Sequence, residues 1–246
     1  MSRPPSPDIA NHQWAWFLDV DGTLLEIEAR PDLVIADRYL LDLLDSLNRA
    51  CDGAVALISG RSLDQLDAIF GQLKLAAAAS HGLEQRWMDG TLVNEAKAIP
   101  AGSISRVVDF AERHPGLLVE YKPFSIGVHY RSRPELEATV LEALEKICAE
   151  LDNDARLMRG KMLVEILPAA ANKGSAIRSF MQTHPFEGRL PVFIGDDVTD
   201  EYGFAVVNEL GGMSIRVGDA AHTVAAWQLD SVADLRAWLK STLDGL

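Results

Sequence analysis

Cysteine is scarce in this sequence, which contains Cys51 and Cys148 and no others. The two lie in separate predicted helices, and neither has a second cysteine or a histidine at the spacing of a metal site. This pattern favours two buried free thiols over a disulfide. Free thiols are typical of a reducing compartment, so we expect a cytoplasmic protein.

Long hydrophobic runs are absent as well. No stretch reaches the ~18 consecutive apolar residues that a membrane-spanning helix needs. Residues 1–11 are polar and rich in proline, and they lack the apolar segment of a secretory signal peptide. We therefore expect a soluble protein that is neither secreted nor inserted in a membrane.

Clusters of lysine and arginine are also missing, and the formal net charge is -13. The average surface of such a chain repels phosphate backbones, which argues against nucleic-acid binding. An anionic small molecule would have to be attracted by local cations or by a metal, because salt confines charge effects to about 10 Å.

Apolar residues, in contrast, are plentiful: 48% of the 246 residues are hydrophobic and 24% are charged. This composition is typical of a globular protein with a buried core, and the length allows one large domain or two modest ones. Apolar strands alternate with helical periodicity in two separate parts of the chain. The first part predicts strands at 14–18, 54–58 and 75–79 and helices at 36–50 and 63–70.

The same alternation resumes after residue 168, with helices at 173–183, 199–208 and 233–243 and strands at 192–194 and 213–217. Alternating strands and helices favour a Rossmann-like parallel sheet of the α/β class. Between the two parts, helices at 103–113 and 134–151 are mixed with strands at 117–121, 125–130, 156–158 and 162–167. Such an order favours a small antiparallel sheet with helices on one face. We therefore predict a core domain at 1–99 and 170–246, interrupted by an inserted α+β domain at 100–169.

Two acids follow the first predicted strand, in the segment Asp19-Val20-Asp21-Gly22-Thr23. Ligands of open α/β sheets bind at the carboxyl ends of the strands, where this segment lies. Two carboxylates this close repel each other unless a cation intervenes or one of them is protonated. The alternative is a solvated turn, since turns favour aspartate and glycine.

Further polar segments follow other predicted strands or begin helices. The hydroxyl and backbone N–H groups of Ser59-Gly60-Arg61 are suited to a phosphate oxygen, although Ser62 also reads as an ordinary helix N-cap. Lys173 begins a helix, where its ammonium can reach both a phosphate and a carboxylate nucleophile. A solvated lysine is the alternative interpretation.

A second acidic cluster follows the strand at 192–194, in the segment 195–201, which contains Asp196, Asp197, Asp200 and Glu201. Hard oxygen ligands without histidine or cysteine suit Mg²⁺. The alternative is an acidic helix N-terminus favoured by the helix dipole, and Asp200 and Glu201 fit that reading. Whether Asp197 or Asp200 also contacts a metal stays open.

Taken in order, the Asp-x-Asp-Gly-Thr, serine, lysine and Gly-Asp-Asp segments resemble the haloacid dehalogenase superfamily. The resemblance implies that Asp19 attacks phosphorus to form an aspartyl-phosphate, and that Asp21 protonates the leaving oxygen and then activates water. It also implies a phosphoryl site and a Mg²⁺ site. Its phosphoryl-binding residues would be Thr23, Ser59, Gly60 and Lys173, and its metal ligands Asp19, the carbonyl of Asp21, and Asp196.

Asp21 bears on the choice of reaction within that superfamily. A halide leaves without a proton, whereas a phosphomonoester leaves as an alkoxide and gains roughly 10²–10⁴-fold from general acid catalysis. A phosphatase is therefore favoured over a dehalogenase.

A closer resemblance, to the trehalose-6-phosphate phosphatase family, covers most of the chain. Its matching segments are residues 56–62, 81–82, 127–131, 160–161, 164–166, 195–201 and 203–208. In that family the insertion is a cap that closes over the sugar. The resemblance implies a set of sugar-contacting residues, namely Arg61, His81, Glu120, Lys122, Arg131, Lys161 and Glu165. It is imperfect at Ala79, where relatives often have glycine, and at Leu167, where they often have a basic residue.

These sugar contacts also have a plainer interpretation, because Glu120 and Lys122 lie two residues apart on one strand face and could form a surface cross-strand ion pair. The leading hypothesis is hydrolysis of trehalose 6-phosphate by a monomer or weak homo-oligomer. One alternative is a phosphatase of the same fold for sucrose or mannosyl phosphates. Another is a sugar-phosphate-binding regulator without turnover.

Overall fold

A computed structural model describes residues 1–9, 13–27, 34–71, 73–94, 98–122, 124–151, 154–160 and 162–245, with the backbone alone for Asn94. The chain divides into two compact units. The first unit comprises Met1–Val93 and Asn172–Leu246, and the second comprises Asn94–Ala171. The second unit therefore interrupts the first along the chain.

Strands and helices of the described residues are numbered in chain order. The strands are β1 (Trp14–Leu18), β2 (Val55–Ile58), β3 (Ala76–Ala79), β4 (Glu84–Arg86), β5 (Leu92–Asn94), β6 (Leu118–Tyr121), β7 (Ile126–His129), β8 (Ala155–Gly160), β9 (Leu163–Pro168), β10 (Leu190–Gly195), β11 (Met213–Val217) and β12 (Trp227–Leu229). The helices are α1 (Arg38–Ala50), α2 (Leu63–Phe70), α3 (Ala101–Glu112), α4 (Glu137–Ala149), α5 (Lys173–Phe180), α6 (Glu201–Glu209) and α7 (Val232–Asp244).

The first unit is built on one sheet with the strand order β12-β11-β10-β1-β2-β3-β4-β5. The strands from β12 to β3 are parallel, and β4 runs antiparallel to β3. Central strand β1 pairs with β10 and β2, so that Phe17 lies opposite both Phe193 and Ala56. Because parallel strands end at one edge, the residues that follow β1, β2 and β10 lie near one another.

Burial of both faces explains why the central strands read as continuous apolar runs. All residues of β2 and β3 are buried, and only Trp14 of β1 is partly exposed. Helix α1 contributes a buried stripe of Leu40, Leu43, Leu44 and Leu47 at the spacing of one helix face. The loops at the strand ends therefore start from strands that are buried in the core of this unit.

The second unit contains an antiparallel sheet with the order β6-β7-β9-β8. Val107 of α3 and Val140 of α4 share one core cluster with alternate residues of the central strands, such as Ile126 and Val164. Side chains of a strand alternate between faces, so Glu120, Gly127 and Glu165 lie on the face opposite that cluster.

The α/β class, with a parallel core sheet and a smaller antiparallel sheet, is confirmed. Strands β4, β5 and β12 were not predicted, because each is three residues long and too short to show a period. The predicted helices at 134–151 and 199–208 each begin instead with a 3-10 turn, at Pro134–Leu136 and Val198–Asp200.

The prediction of two free buried thiols is confirmed for Cys51 and Cys148. Burial raises the pKa of Cys51 to about 11, so this thiol is held in its protonated form. Across the part of the chain that the structure describes, none of the helices has the length and apolar character needed to cross a bilayer.

Candidate active site

Asp19 directly follows β1, and its backbone N–H donates to the carbonyl of Ile194 on β10 at 2.9 Å. The chain then turns sharply, because the carbonyl of Val20 accepts hydrogen bonds from Leu24 and Leu25 at 3.0 Å each. Gly22 makes this turn possible, since its φ is +82°. A Cβ at Gly22 would also lie 2.1 Å from Oδ2 of Asp196, which follows β10. The two acidic segments therefore lie side by side.

Lys173 joins these segments through its buried ammonium. Its Nζ donates to Asp19 Oδ1 at 2.7 Å and to Asp200 Oδ1 at 2.6 Å. The lysine is the first residue of α5, and the preceding Asn172 caps that helix by accepting from the N–H of Gly174 at 2.7 Å. The interpretation of Lys173 as a solvated surface lysine is therefore wrong.

Asp200 is part of this cluster and is completely buried. Its Oδ2 accepts hydrogen bonds from the backbone N–H groups of Asp196 and Asp197 at 2.9 Å each. Gly195 leaves room for it, because a Cβ there would lie 2.4 Å from Asp200 Cγ. The reading of Asp200 as merely a dipole-favoured acid at a helix N-terminus is thus corrected: its carboxylate organises the loop and holds Lys173.

The carboxylate of Asp19 is fixed at both oxygens. Thr23 Oγ1 donates to Oδ2 at 2.9 Å, and Lys173 holds Oδ1. Burial raises the pKa of Asp19 well above its ordinary value; the Lys173 charge lowers it, and the Asp200 and Asp196 charges raise it further. For Lys173, burial alone would lower the pKa, but the charges of Asp19 and Asp200 outweigh burial and raise it. One buried cation therefore faces more negative charge than it can balance.

This excess of buried carboxylates suits a divalent cation. Oxygen atoms of Asp19, Asp196 and Asp200 lie within 4.8 Å of one another, and all three residues are buried. Carboxylate oxygens are the ligands that Mg²⁺ prefers. A bound cation would offset the negative charge that Lys173 leaves unbalanced among these carboxylates.

Asp21 faces a different partner from Asp19. Arg61 forms a two-pronged ion pair with it: Nε donates to Oδ2 at 2.7 Å, and Nη2 donates to Oδ1 at 2.6 Å. Arg61 follows β2, and its backbone N–H donates to the hydroxyl of Ser59 at 3.2 Å. The sequence pattern did not predict this ion pair, and the family resemblance had implied a substrate contact for Arg61.

The phosphate-loop candidate, residues 59–61, leads into α2. Ser62 caps that helix by accepting from the N–H of Gln65 at 3.3 Å, while the Gln65 side chain accepts from the N–H of Ser62 at 2.9 Å. The N-cap interpretation of Ser62 is confirmed. A capping role for Ser62 is compatible with an anion site at residues 59–61, because this loop lies at the same sheet edge as Asp19.

His81 lies against this loop. A Cβ at Gly60 would be 2.5 Å from its Cε1 and 2.6 Å from its Nε2, so the imidazole occupies the space beside Gly60. The histidine is 7% exposed.

Arg216 on β11 is a buried residue that the sequence did not single out. Its Nη2 donates to the carbonyl of Asp196 at 2.5 Å, and its Nη1 donates to Glu201 Oε1 at 3.2 Å. Arg216 therefore holds the backbone of the loop that carries Asp196. The sequence sign of such a residue was a single arginine within an otherwise mostly apolar strand.

In the second unit, charged side chains lie on the sheet face opposite the unit's own apolar cluster. Lys122 Nζ donates to both oxygens of Glu165, at 3.0 and 3.2 Å, and Ser125 also donates to Glu165. Glu120 Oε2 is hydrogen-bonded to His129 Nε2 at 2.8 Å. The expectation of a surface pair is wrong, because Lys122 is buried and pairs with Glu165; the two side chains are 7% and 1% exposed.

The charge state of Glu120 reflects these neighbours. Burial alone would raise its pKa, but the His129 hydrogen bond and the Lys122 charge outweigh burial and hold the pKa below its usual value. Gly127 lies opposite Glu120 on one side and Glu165 on the other, and the Leu163 side chain packs over it, since a Cβ at Gly127 would lie 2.8 Å from Leu163 Cδ1.

Two further predicted sugar contacts are Arg131 and Lys161. Arg131 follows β7 and is exposed. Lys161 lies outside the described residues. His129 and Ser125 were missed by sequence reasoning, although His129 belongs to the 127–131 segment that carried the family resemblance.

Comparisons with known proteins agree with this geometry. A family model described as trehalose-phosphatase matches residues 17–233. The chain is 42% identical over 230 residues to trehalose-6-phosphate phosphatase of Escherichia coli (strain K12), covering 93% of this chain and 86% of that protein.

Solved structures give the same family and fold. The C-terminal domain of C. albicans trehalose-6-phosphate phosphatase is similar with a TM-score of 0.82 at 25% identity, covering 99% of this chain and 98% of that one. A phosphatase of the haloalkanoate (HAD) enzyme superfamily from Bacteroides thetaiotaomicron has a TM-score of 0.61 at 18% identity, over 94% and 96% of the two chains. The fold is therefore that of HAD phosphatases.

Proposed function

Because the chain belongs to the trehalose-phosphatase family, we propose that it hydrolyses trehalose 6-phosphate to trehalose and phosphate through an aspartyl-phosphate on Asp19. The observation that carries this proposal is the buried contact of Lys173 with both Asp19 and Asp200 beside Asp196. A carboxylate fixed next to a cation, with a second acid two residues away, is suited to covalent phosphoryl transfer.

In the first step, a carboxylate oxygen of Asp19 attacks phosphorus, and the bond from phosphorus to the sugar oxygen breaks. Asp21 donates its proton to that leaving oxygen, which would otherwise depart as a poorly stabilised alkoxide. Thr23 and Lys173 keep the Asp19 carboxylate in one orientation during the attack.

In the second step, the Asp21 carboxylate takes a proton from water, and that water attacks phosphorus. The bond to Asp19 breaks, phosphate is released, and Asp19 and protonated Asp21 are regenerated. Arg61 orients the Asp21 carboxylate through its two hydrogen bonds.

The phosphoryl group is proposed to bind Thr23, Ser59, Gly60 and Lys173. We propose Asp19, the Asp21 carbonyl and Asp196 as the Mg²⁺ ligands; the bound ion would neutralise charge on the phosphoryl oxygens. The fit of the cation rests on the excess of buried carboxylates described above.

The second unit, Asn94–Ala171, is proposed to be the cap that recognises the sugar; it contains the inserted domain predicted at 100–169. The carboxylates of Glu120 and Glu165 are suited to accept hydrogen bonds from sugar hydroxyls, and they lie on one face of the sheet, on either side of Gly127. Lys122 offers a donor beside Glu165. Further proposed sugar contacts are Arg61, His81, Arg131 and Lys161.

A cytoplasmic location and a monomeric or weakly homo-oligomeric state complete the proposal. The two free thiols are consistent with a reducing compartment. A regulator without turnover is the less favoured alternative, because ligand binding alone does not require the acid pair of Asp19 and Asp21 or the Lys173 contacts.

A phosphate-release assay over a panel of sugar phosphates, with Mg²⁺ and with a chelator, tests the function. We expect the highest kcat/KM for trehalose 6-phosphate and loss of turnover in the chelator. Faster hydrolysis of sucrose, mannosyl or glucose phosphates would reject the substrate assignment, and turnover that survives chelation would reject the metal.

A further inference from the structure

A left-handed turn lies beside the phosphate loop, at residues Ser80, His81 and Gly82. Their φ angles are +49°, +59° and +98°. Two consecutive residues with a Cβ rarely adopt this conformation, and backbone strain of this kind persists only where the surrounding structure enforces it. The contacts of the turn show what enforces it.

On one side the turn is bonded to the phosphate loop. The N–H of His81 donates to the carbonyl of Ser59 at 2.9 Å, and the N–H of Ser80 donates to the carbonyl of Arg61 at 2.7 Å. The imidazole fills the position that a Cβ of Gly60 would take. Each residue of the loop is therefore contacted by the turn.

On the other side the turn meets the start of α5. A Cβ at Gly82 would lie 3.0 Å from the carbonyl oxygen of Asn172 and 3.1 Å from Cβ of Ala176. Asn172 is the residue immediately before Lys173. The side chain of Ser80 is also held in place, because its hydroxyl donates to Glu84 Oε2 at 2.6 Å.

We propose that the turn at 80–82 is a spacer that sets the distance between the phosphate loop and Lys173, and that His81 is a positioning residue acting through Gly60. This inference rests on the proposed phosphatase function. It is an alternative to the sugar contact proposed above for His81, because a spacer affects every phosphate ester alike.

Kinetics of His81→Ala and His81→Asn on trehalose 6-phosphate and on p-nitrophenyl phosphate separate these roles. A displacement of about 1 Å in a site costs up to ~10²-fold, so we expect kcat/KM to fall roughly tenfold to a hundredfold on both substrates. The inhibition constant of inorganic phosphate should rise as well. A loss restricted to trehalose 6-phosphate, or no loss, would overturn the positioning role.

His81→Gly removes the imidazole together with the strain. We expect its unfolding midpoint to be no lower than that of the wild type, while activity falls as in His81→Ala. Asp52→Gly is the matched control, because Asp52 has a φ of +50° in an exposed turn. It should keep full activity. An active His81→Gly enzyme would contradict the proposal.

Gly60→Ala tests the contact directly. We expect it to lower kcat/KM by more than tenfold, and the added His81→Ala change to restore part of that loss by making room for the methyl group. A double variant no better than Gly60→Ala alone would overturn the inference. Failure of the wild type to hydrolyse either ester would refute the proposed function, whereas an active wild type with unaffected His81 variants would refute only the spacer.

Discussion

Replacing Asp200 with asparagine tests the arrangement around Lys173. The carboxylate of Asp200 accepts hydrogen bonds from three donors: Lys173 Nζ on one oxygen and the N–H groups of Asp196 and Asp197 on the other. An asparagine has one acceptor oxygen and an NH₂ group that only donates. If its oxygen stays with the two backbone groups, the NH₂ faces the ammonium across a distance that was 2.6 Å. Lys173 must then shift.

The expected magnitude follows from the bond that is lost. A hydrogen bond to a charged group contributes about 1.5–3 kcal/mol, and each 1.36 kcal/mol on a barrier is tenfold in rate. If the whole loss appears in the phosphoryl-transfer step, kcat falls by roughly ten- to a hundredfold. The Asp19 contact of Lys173 remains available, so residual turnover should be measurable.

The assay is steady-state phosphate release from trehalose 6-phosphate, combined with calorimetric Mg²⁺ titration and thermal unfolding. Asp197→Asn is the control for Asp200→Asn, because the Asp197 side chain accepts from the neighbouring Val198 N–H and does not hold Lys173. It should change kcat by less than about threefold. A folded Asp200→Asn enzyme with wild-type kcat would refute the role assigned to Asp200.

Three further predictions concern individual side chains. Thr23→Val removes the donor to Asp19 Oδ2 at nearly constant volume and should lower kcat about tenfold; an unchanged kcat would contradict this. Glu120→Gln should reduce kcat/KM for trehalose 6-phosphate much more than for p-nitrophenyl phosphate, and equal losses would show that this sheet face does not recognise the sugar. The Leu40 N–H and Arg236 lower the pKa of Asp37 below 3.8, so its charge stabilises the fold above about pH 4 and this contribution disappears on acidification. Asp37→Asn should therefore lower the unfolding midpoint near pH 7, and the difference from the wild type should disappear on acidification as Asp37 becomes protonated; a pH-independent offset would exclude this linkage.

The sequence predicted the core of this molecule well, because the central strands are long apolar runs and each ends in a polar segment. Asp19 after β1 and Asp196 after β10 had to meet once the strands were parallel neighbours. Short edge strands gave no comparable signal. Strand β4 reads Glu-Gln-Arg and owes its structure to pairing with β3 rather than to its own composition.

Side-chain partners across long sequence distances could not be predicted from spacing. Arg61 and Asp21 are 40 residues apart, and Lys122 and Glu165 are 43 apart. Neither pairing follows from local periodicity, which fixes the face of an element but not the neighbour that it meets. Asp200 was underestimated for the same reason, since an acid in the first turn of a helix has an ordinary explanation in the helix dipole.

Trapping of a phosphoenzyme tests the nucleophile most directly. In a single turnover, trehalose 6-phosphate that carries radioactive phosphorus is mixed with the enzyme and quenched in acid within milliseconds. The protein should then carry the label, hydroxylamine should release it, and peptide mapping should assign it to Asp19. The folded Asp19→Asn variant should carry no label and release no phosphate. Labelling of Asp19→Asn, or its continued release of phosphate, would contradict covalent catalysis by Asp19.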